Sequence, residues 1–204
     1  MLGRLFSHLR DAIAPRADQP PGEPVMDAVV TRRVVRGIPV VVTNTRPDVD
    51  TERVFRRAEA VFALVEAYAP ACLRRLARDL AVIDVRRFPC RAAYFPDARA
   101  CLLELTFMAN ESFNDAQVAA SLVHEGVHAR VHAMGVADFP GRAAKEERLC
   151  RRAEIEFGRA TPGGEPVVER ALAALALDDA DVAPAVDWTL AAQRVADADR
   201  AAGA

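Results

Sequence analysis

The residues of this 204-residue chain best suited to chemistry lie in one short run, His124-Glu125-Gly126-Val127-His128. On an α-helix, positions i and i+4 stand one above the other on the same face, so this spacing presents two imidazoles to one point. Two neutral imidazoles and a carboxylate suit a zinc ion that keeps a fourth position for water, whose pKa then falls to about 7. Glu125, one step round the helix, borders that face and is placed to take a proton from such a water and return it to a leaving group. A five-residue pattern also arises by chance, so its surroundings decide. Here His124, His128 and His132, three of the chain's four histidines, fall within nine residues.

A third ligand has to come from a neighbouring element. Residues 142–157 read as a helix after a short reversing loop and carry Glu146, Glu147, Glu154 and Glu156; Glu147, Cys150, Arg151 and Glu154 share one face. Glu147 and Glu154 are separated by about 10.5 Å along the axis, at 1.5 Å per residue, so both cannot bind one ion. One is a ligand candidate and the other a supporting or alternative ligand, and spacing alone does not choose. His132 lies about 12 Å from His124 along an unbroken helix and reads as a neighbour, not a ligand.

The motif needs a helix, and local signals supply its ends. Asn114-Asp115-Ala116-Gln117 has the form of a capping box, and Gly135 is a suitable residue just past a C-terminus near Met134. Upstream, residues 27–43 are dense in Val and broken at Arg36-Gly37, which predicts two strands about a turn. Residues 51–68 show apolar spacings of three and four, and a second helix follows Pro70. Residues 80–88 and 91–94 read as short strands, and residues 100–107 as a strand covered on both faces. Downstream, Gly158 with Pro162-Gly163-Gly164 is expected to end the second site helix, and residues 165–177 and 182–199 read as two more helices.

The whole chain bounds the function. With 27 Lys+Arg against 29 Asp+Glu there is no basic field for nucleic acid. Cys72, Cys90, Cys101 and Cys150 form no CxxC pair, a usage that fits a cytoplasmic protein. No apolar run approaches the roughly 20 residues that span a bilayer. Leu2, Leu5, Phe6, Leu9 and Ile13 fall on one stripe, so residues 1–24 are expected to form an amphipathic helix followed by a Pro-rich linker. That helix docks on its own domain or touches a membrane surface peripherally. Residues 25–200 then form one domain.

The two-helix arrangement resembles the gluzincin metallopeptidases, in which an HExxH helix is followed by a second helix bearing a glutamate ligand; the likeness covers residues 100–157. The 19 positions from His128 to Glu147 are similar to that family's spacing. The resemblance therefore implies His124, His128 and Glu147 as ligands of one zinc per chain, Glu125 as general base, and Glu154 as a supporting or alternative ligand. The run Glu147-Arg148-Leu149-Cys150-Arg151-Arg152-Ala153-Glu154-Ile155-Glu156-Phe157 is also similar to that of uncharacterised bacterial HExxH proteins. The fold that the likeness implies is α+β and zincin-like, with a small mostly antiparallel sheet, an HExxH helix and a largely helical C-terminal half.

The function implied is a zinc-dependent hydrolase, a metallopeptidase acting on a peptide or protein. In zincin-like peptidases an edge strand pairs with substrate, and residues 101–107 stand where that strand would be, with a buried core strand as the simpler reading. Arg151 departs from the pattern, since an acidic partner for a ligand histidine is often found four residues after the ligand glutamate. Tyr94 and Arg151 are candidates for transition-state stabilisation, though a residue of either kind is more often a packing or salt-bridge residue. A different class, a non-proteolytic metal-binding or sensor module keeping the two-helix site, fits the same residues, as does a helical domain whose histidines are merely hydrogen-bonded.

Overall fold

The structure is a computed structural model, and it describes residues 28–136 and 138–201. The expected N-terminal helix and linker lie outside the described residues. Val29–Val35 (β1) and Ile38–Asn44 (β2) form an antiparallel hairpin. Its turn places Arg36 and Gly37 at φ 49° and 80°, a left-handed pair that glycine adopts without steric cost. Thr51–Tyr68 (α1) starts where Asp50 accepts the Glu52 N–H, and Pro70–Asp79 (α2) follows.

Three further strands, Val82–Arg86 (β3), Ala92–Phe95 (β4) and Ala100–Glu104 (β5), complete a five-stranded sheet in the order β1-β2-β3-β5-β4. β3 runs parallel to β2 and to β5, while β1 and β4 pair antiparallel at the two edges. The sheet is therefore mixed, not mostly antiparallel. Its direction follows from the connections: α1 and α2 carry the chain from the end of β2 back to the start of β3, and β4 is the return strand that lets β5 enter parallel to β3. All of β5 is buried, in keeping with a strand covered on both faces.

That placement overturns the expected edge strand. Cys101 and its neighbours are interior, between β3 and β4, and the strand at that edge is Ala92–Phe95. Nor does the strand continue to Phe107: Glu104 accepts the Phe107 N–H at 2.6 Å and turns the chain into a short helix, Leu105–Ala109 (α3).

Asp115–Ala133 (α4) is the motif helix, opened by the expected capping box: Asn114 accepts from the Gln117 N–H, and Gln117 accepts from the Asn114 N–H. It ends before Gly135 at φ 63°. Eleven of its residues are buried, against α1, α2 and β4. Gly126 serves this packing, since a Cβ there would lie 2.8 Å from Leu76 of α2. The main core joins α4 to the sheet through Phe55, Phe62, Leu76, Ile83, Leu103 and Leu122, each worth about 1.5–3 kcal/mol of burial.

Arg142–Ala160 (α5) runs through Gly158 instead of ending there. Gly158 is a crossing point: a Cβ on it would lie 2.9 Å from the Gly164 carbonyl, and a Cβ on Gly164 would lie 2.1 Å from the Gly158 carbonyl. The two glycines let Glu165–Leu175 (α6) pack tightly back on α5. The last helix, expected over residues 182–199, begins later, at Trp188: Asp179–Val182 (α7) is a separate short helix and Trp188–Ala201 (α8) follows it. Pro184 lacks the N–H needed to continue, and Asp187 starts α8 afresh by accepting the Leu190 N–H. Among the described residues no helix is long and apolar enough to cross a membrane.

Candidate metal centre

α4 and α5 pack antiparallel, so four residues forward on one helix correspond to four back on the other. His124 meets Glu154, and His128 meets Cys150. His124 Nδ1 lies 2.9 Å from Glu154 Oε1, and His128 Nδ1 lies 2.7 Å from Glu146 Oε1. An ionised carboxylate only accepts, so both rings donate from Nδ1, and in the neutral rings each Nε2 presents a lone pair. Those two Nε2 atoms are 3.2 Å apart and face each other.

Glu147 comes to the same point. Its Oε2 lies 3.4 Å from His124 Nε2 and its Oε1 lies 3.2 Å from His128 Nε2. Lone pairs so close repel unless a proton or cation lies among them. In tetrahedral zinc sites the bond lengths place ligand nitrogens about 3.3–3.4 Å apart, and nitrogen and carboxylate oxygen about 3.3–3.5 Å apart. The three residues thus fit a zinc ion on donor type and on spacing. Cys150 adds a thiol whose Sγ is 3.5 Å from His128 Nε2; the ligand atoms of His124, His128 and Cys150 all lie within 4.8 Å of one another.

The surrounding field favours positive charge. Burial alone would depress the pKa of His124, yet hydrogen bonding with Cys150, Glu147 and Glu154 holds it well above its ordinary value. His128 is raised in the same way, through Cys150, Glu146 and Glu147. Burial pushes Glu147 up, but the two imidazoles outweigh it and hold the carboxyl well below the usual range.

Glu125 is 5 % exposed and receives no hydrogen bond from any other described residue. Burial raises its pKa, opposed by His124 and His128 and reinforced by Glu147 and Glu154. It is a carboxyl with elevated proton affinity beside His124 and His128, with no hydrogen bond or ion pair among the described residues.

Glu154 lies behind His124, 1 % exposed, with Arg151 Nη1 at 2.9 Å and Arg170 Nη2 at 3.4 Å. Arg151 also approaches Glu147 at 3.6 Å. It is engaged in ion pairs, and Tyr94 packs on His132 with ring centroids 5.9 Å apart. Two residues had no role in the sequence reading of the site: Glu146, which orients His128, and Arg170 from α6, which pairs with Glu154. Heptad-like spacing places Glu146 near the site face, but only the offset between the two helices gives it an imidazole. No known protein family, curated protein or solved structure matches this chain.

Proposed function

We propose that this chain is a zinc-dependent hydrolase acting on peptides, with a zincin-like arrangement of sheet and motif helix. The observation that carries the proposal is the convergence of both Nε2 atoms and the Glu147 carboxylate within 3.4 Å, with a buried glutamate that receives no hydrogen bond from any described residue on the adjoining helical position. His124, His128 and Glu147 hold the metal. Glu146 and Glu154 fix the ring orientations and raise ligand basicity.

Bound there, zinc supplies Lewis-acid polarisation of a water and of a carbonyl. Glu125 accepts the proton that the water loses and delivers it to the leaving amine nitrogen; its raised proton affinity brings it towards the pH at which it has to do both. The substrate main chain has a place beside the site. β4 pairs only with β5, packs along α4, and turns its other edge to no described strand, so an extended peptide can add to it. Four free thiols suit a reducing cytoplasm.

A second reading, a metal-binding module without turnover, is favoured by one observation, the fourth potential donor at Cys150. Replacement of Glu125 by Gln separates the two. The purified protein is expected to hold about one zinc per chain, and Glu125→Gln to keep it while losing peptide hydrolysis by roughly 10²–10⁴-fold. Unchanged hydrolysis in that variant, or reduced and folded protein that takes up no zinc, would sink the hydrolase reading.

A further inference from the structure

We infer that Cys150 is a fourth protein ligand, which closes the resting centre as a tetrahedron of two imidazoles, one carboxylate and one thiolate, and makes hydrolysis depend on the thiolate giving way. This rests on the zinc reading above and adds the regulation of the same site.

Three observations carry it. Cys150 lies three residues after Glu147 on α5, so the two side chains share a face and approach the imidazole pair from the same helix, two donors from each side of one interface. Its Sγ is fully buried and lies 3.5 Å from His128 Nε2. The bond lengths of tetrahedral zinc place sulfur and nitrogen about 3.5–3.6 Å apart. The other cysteines are engaged elsewhere: Cys90 donates to the Ala92 carbonyl at 2.9 Å, Cys101 contacts the Leu102 carbonyl, and Cys72 lies against Gly126 on the α2 side of the motif helix.

On metal binding, the S–H bond breaks, its proton passes to solvent, and the sulfur electron pair forms the bond to zinc; nothing is oxidised or reduced. Four protein donors leave no coordination position for water, which is the distinction between closed and catalytic zinc sites. The open position would return when a water took the place of the sulfur, which would keep the electron pair of the broken bond and take up a proton from solvent.

The test is cobalt(II) substitution of the full-length protein. Wild type is expected to show an intense near-ultraviolet thiolate-to-cobalt charge-transfer band, lost in Cys150→Ala and in Cys150→Ser. Zinc affinity falls on the order of 100-fold in these variants, about the share of one ligand in a four-ligand site, while peptide hydrolysis at saturating zinc rises. Cobalt-loaded wild type without the band, or a band that persists in both variants, overturns the inference. A Cys150-dependent band with no hydrolysis in any variant upholds the ligand and refutes the hydrolase. Glu125-dependent hydrolysis without the band upholds the hydrolase and refutes the ligand.

Discussion

Replacing Glu154 with Gln tests the division of labour between the two glutamates of α5. Glu154 Oε1 accepts from His124 Nδ1 and from Arg151 Nη1, each at 2.9 Å, while Oε2 faces Arg170 at 3.4 Å. The amide keeps the shape and one acceptor, so His124 retains its orientation, but the negative charge behind the ring is gone. Loss of such a partner costs about 10–100-fold in metal affinity, or about 1.4–2.7 kcal/mol. Metal-free stability falls as well. Breaking a buried ion pair costs about 3–5 kcal/mol. Here Arg170 is 35 % exposed and Arg151 keeps Glu147, which reduces the expectation to about 1–3 kcal/mol.

Glu147→Gln should weaken zinc binding more. It removes the carboxylate proposed as a ligand, which faces both Nε2 atoms, so zinc affinity falls further than in Glu154→Gln. Metal-free stability falls as well, because Glu147 faces both imidazoles, which hold its carboxyl well below the usual range, and so zinc affinity, not stability, separates the two variants. Zinc competition against a chelating dye and urea unfolding of EDTA-treated protein read the two quantities. Weaker zinc binding in Glu154→Gln than in Glu147→Gln would refute the assignment of Glu147 as ligand and Glu154 as its support.

Two further outcomes concern the frame around the site. Asn114→Ala removes the cap of α4 and the bond from Asn114 Nδ2 to the Gly163 carbonyl, and is expected to lower stability by about 1–2 kcal/mol in urea unfolding with zinc affinity unchanged. Asp84 gives a pH dependence. Burial raises its pKa above the ordinary 3.8, opposed by Arg86. The folded state therefore binds the proton more tightly than the unfolded chain, and stability from this group falls as pH rises from 3.8 through the folded pKa. Asp84→Asn removes that slope, so its stability relative to wild type should improve as pH rises through and above the ordinary carboxyl range; a difference that does not change with pH would show that Asp84 does not titrate as its burial requires.

Features set by neighbouring residues were legible in the chain. The capping box at Asn114 and Gln117, the hairpin turn at Arg36-Gly37 and the extent of α1 each follow from side chains a few positions apart. What failed depended on partners distant in sequence. Gly158 carries the signal of a helix end, yet α5 continues, because the glycine answers to the Gly164 backbone across a crossing. β5 read as covered from its own residues, while its place between β3 and β4 depends on pairing that no local pattern encodes. The site divides in the same way. His124, Glu125 and His128 are fixed by one helix, whereas Glu146, Glu154 and Cys150 acquire roles only from the offset of α5 along α4. The eight residues between those helices leave that offset open.

The roles proposed for Glu125 and Glu147 rest finally on their opposed electrostatics. Both are carboxyls beside the same two imidazoles, and burial pushes the pKa of each upward. Glu147 faces both Nε2 atoms and is held ionised by them, as a ligand must be. Glu125 receives the same imidazole charges without a hydrogen bond from any described residue, so burial prevails and its proton affinity stays high. A carboxylate locked on a cation is a poor proton carrier, and a carboxyl with raised proton affinity is a poor ligand. Their separation within one helical interface is what distinguishes a hydrolytic centre from a cluster that only binds metal, and it makes Glu125, not another ligand, the residue whose replacement decides between them.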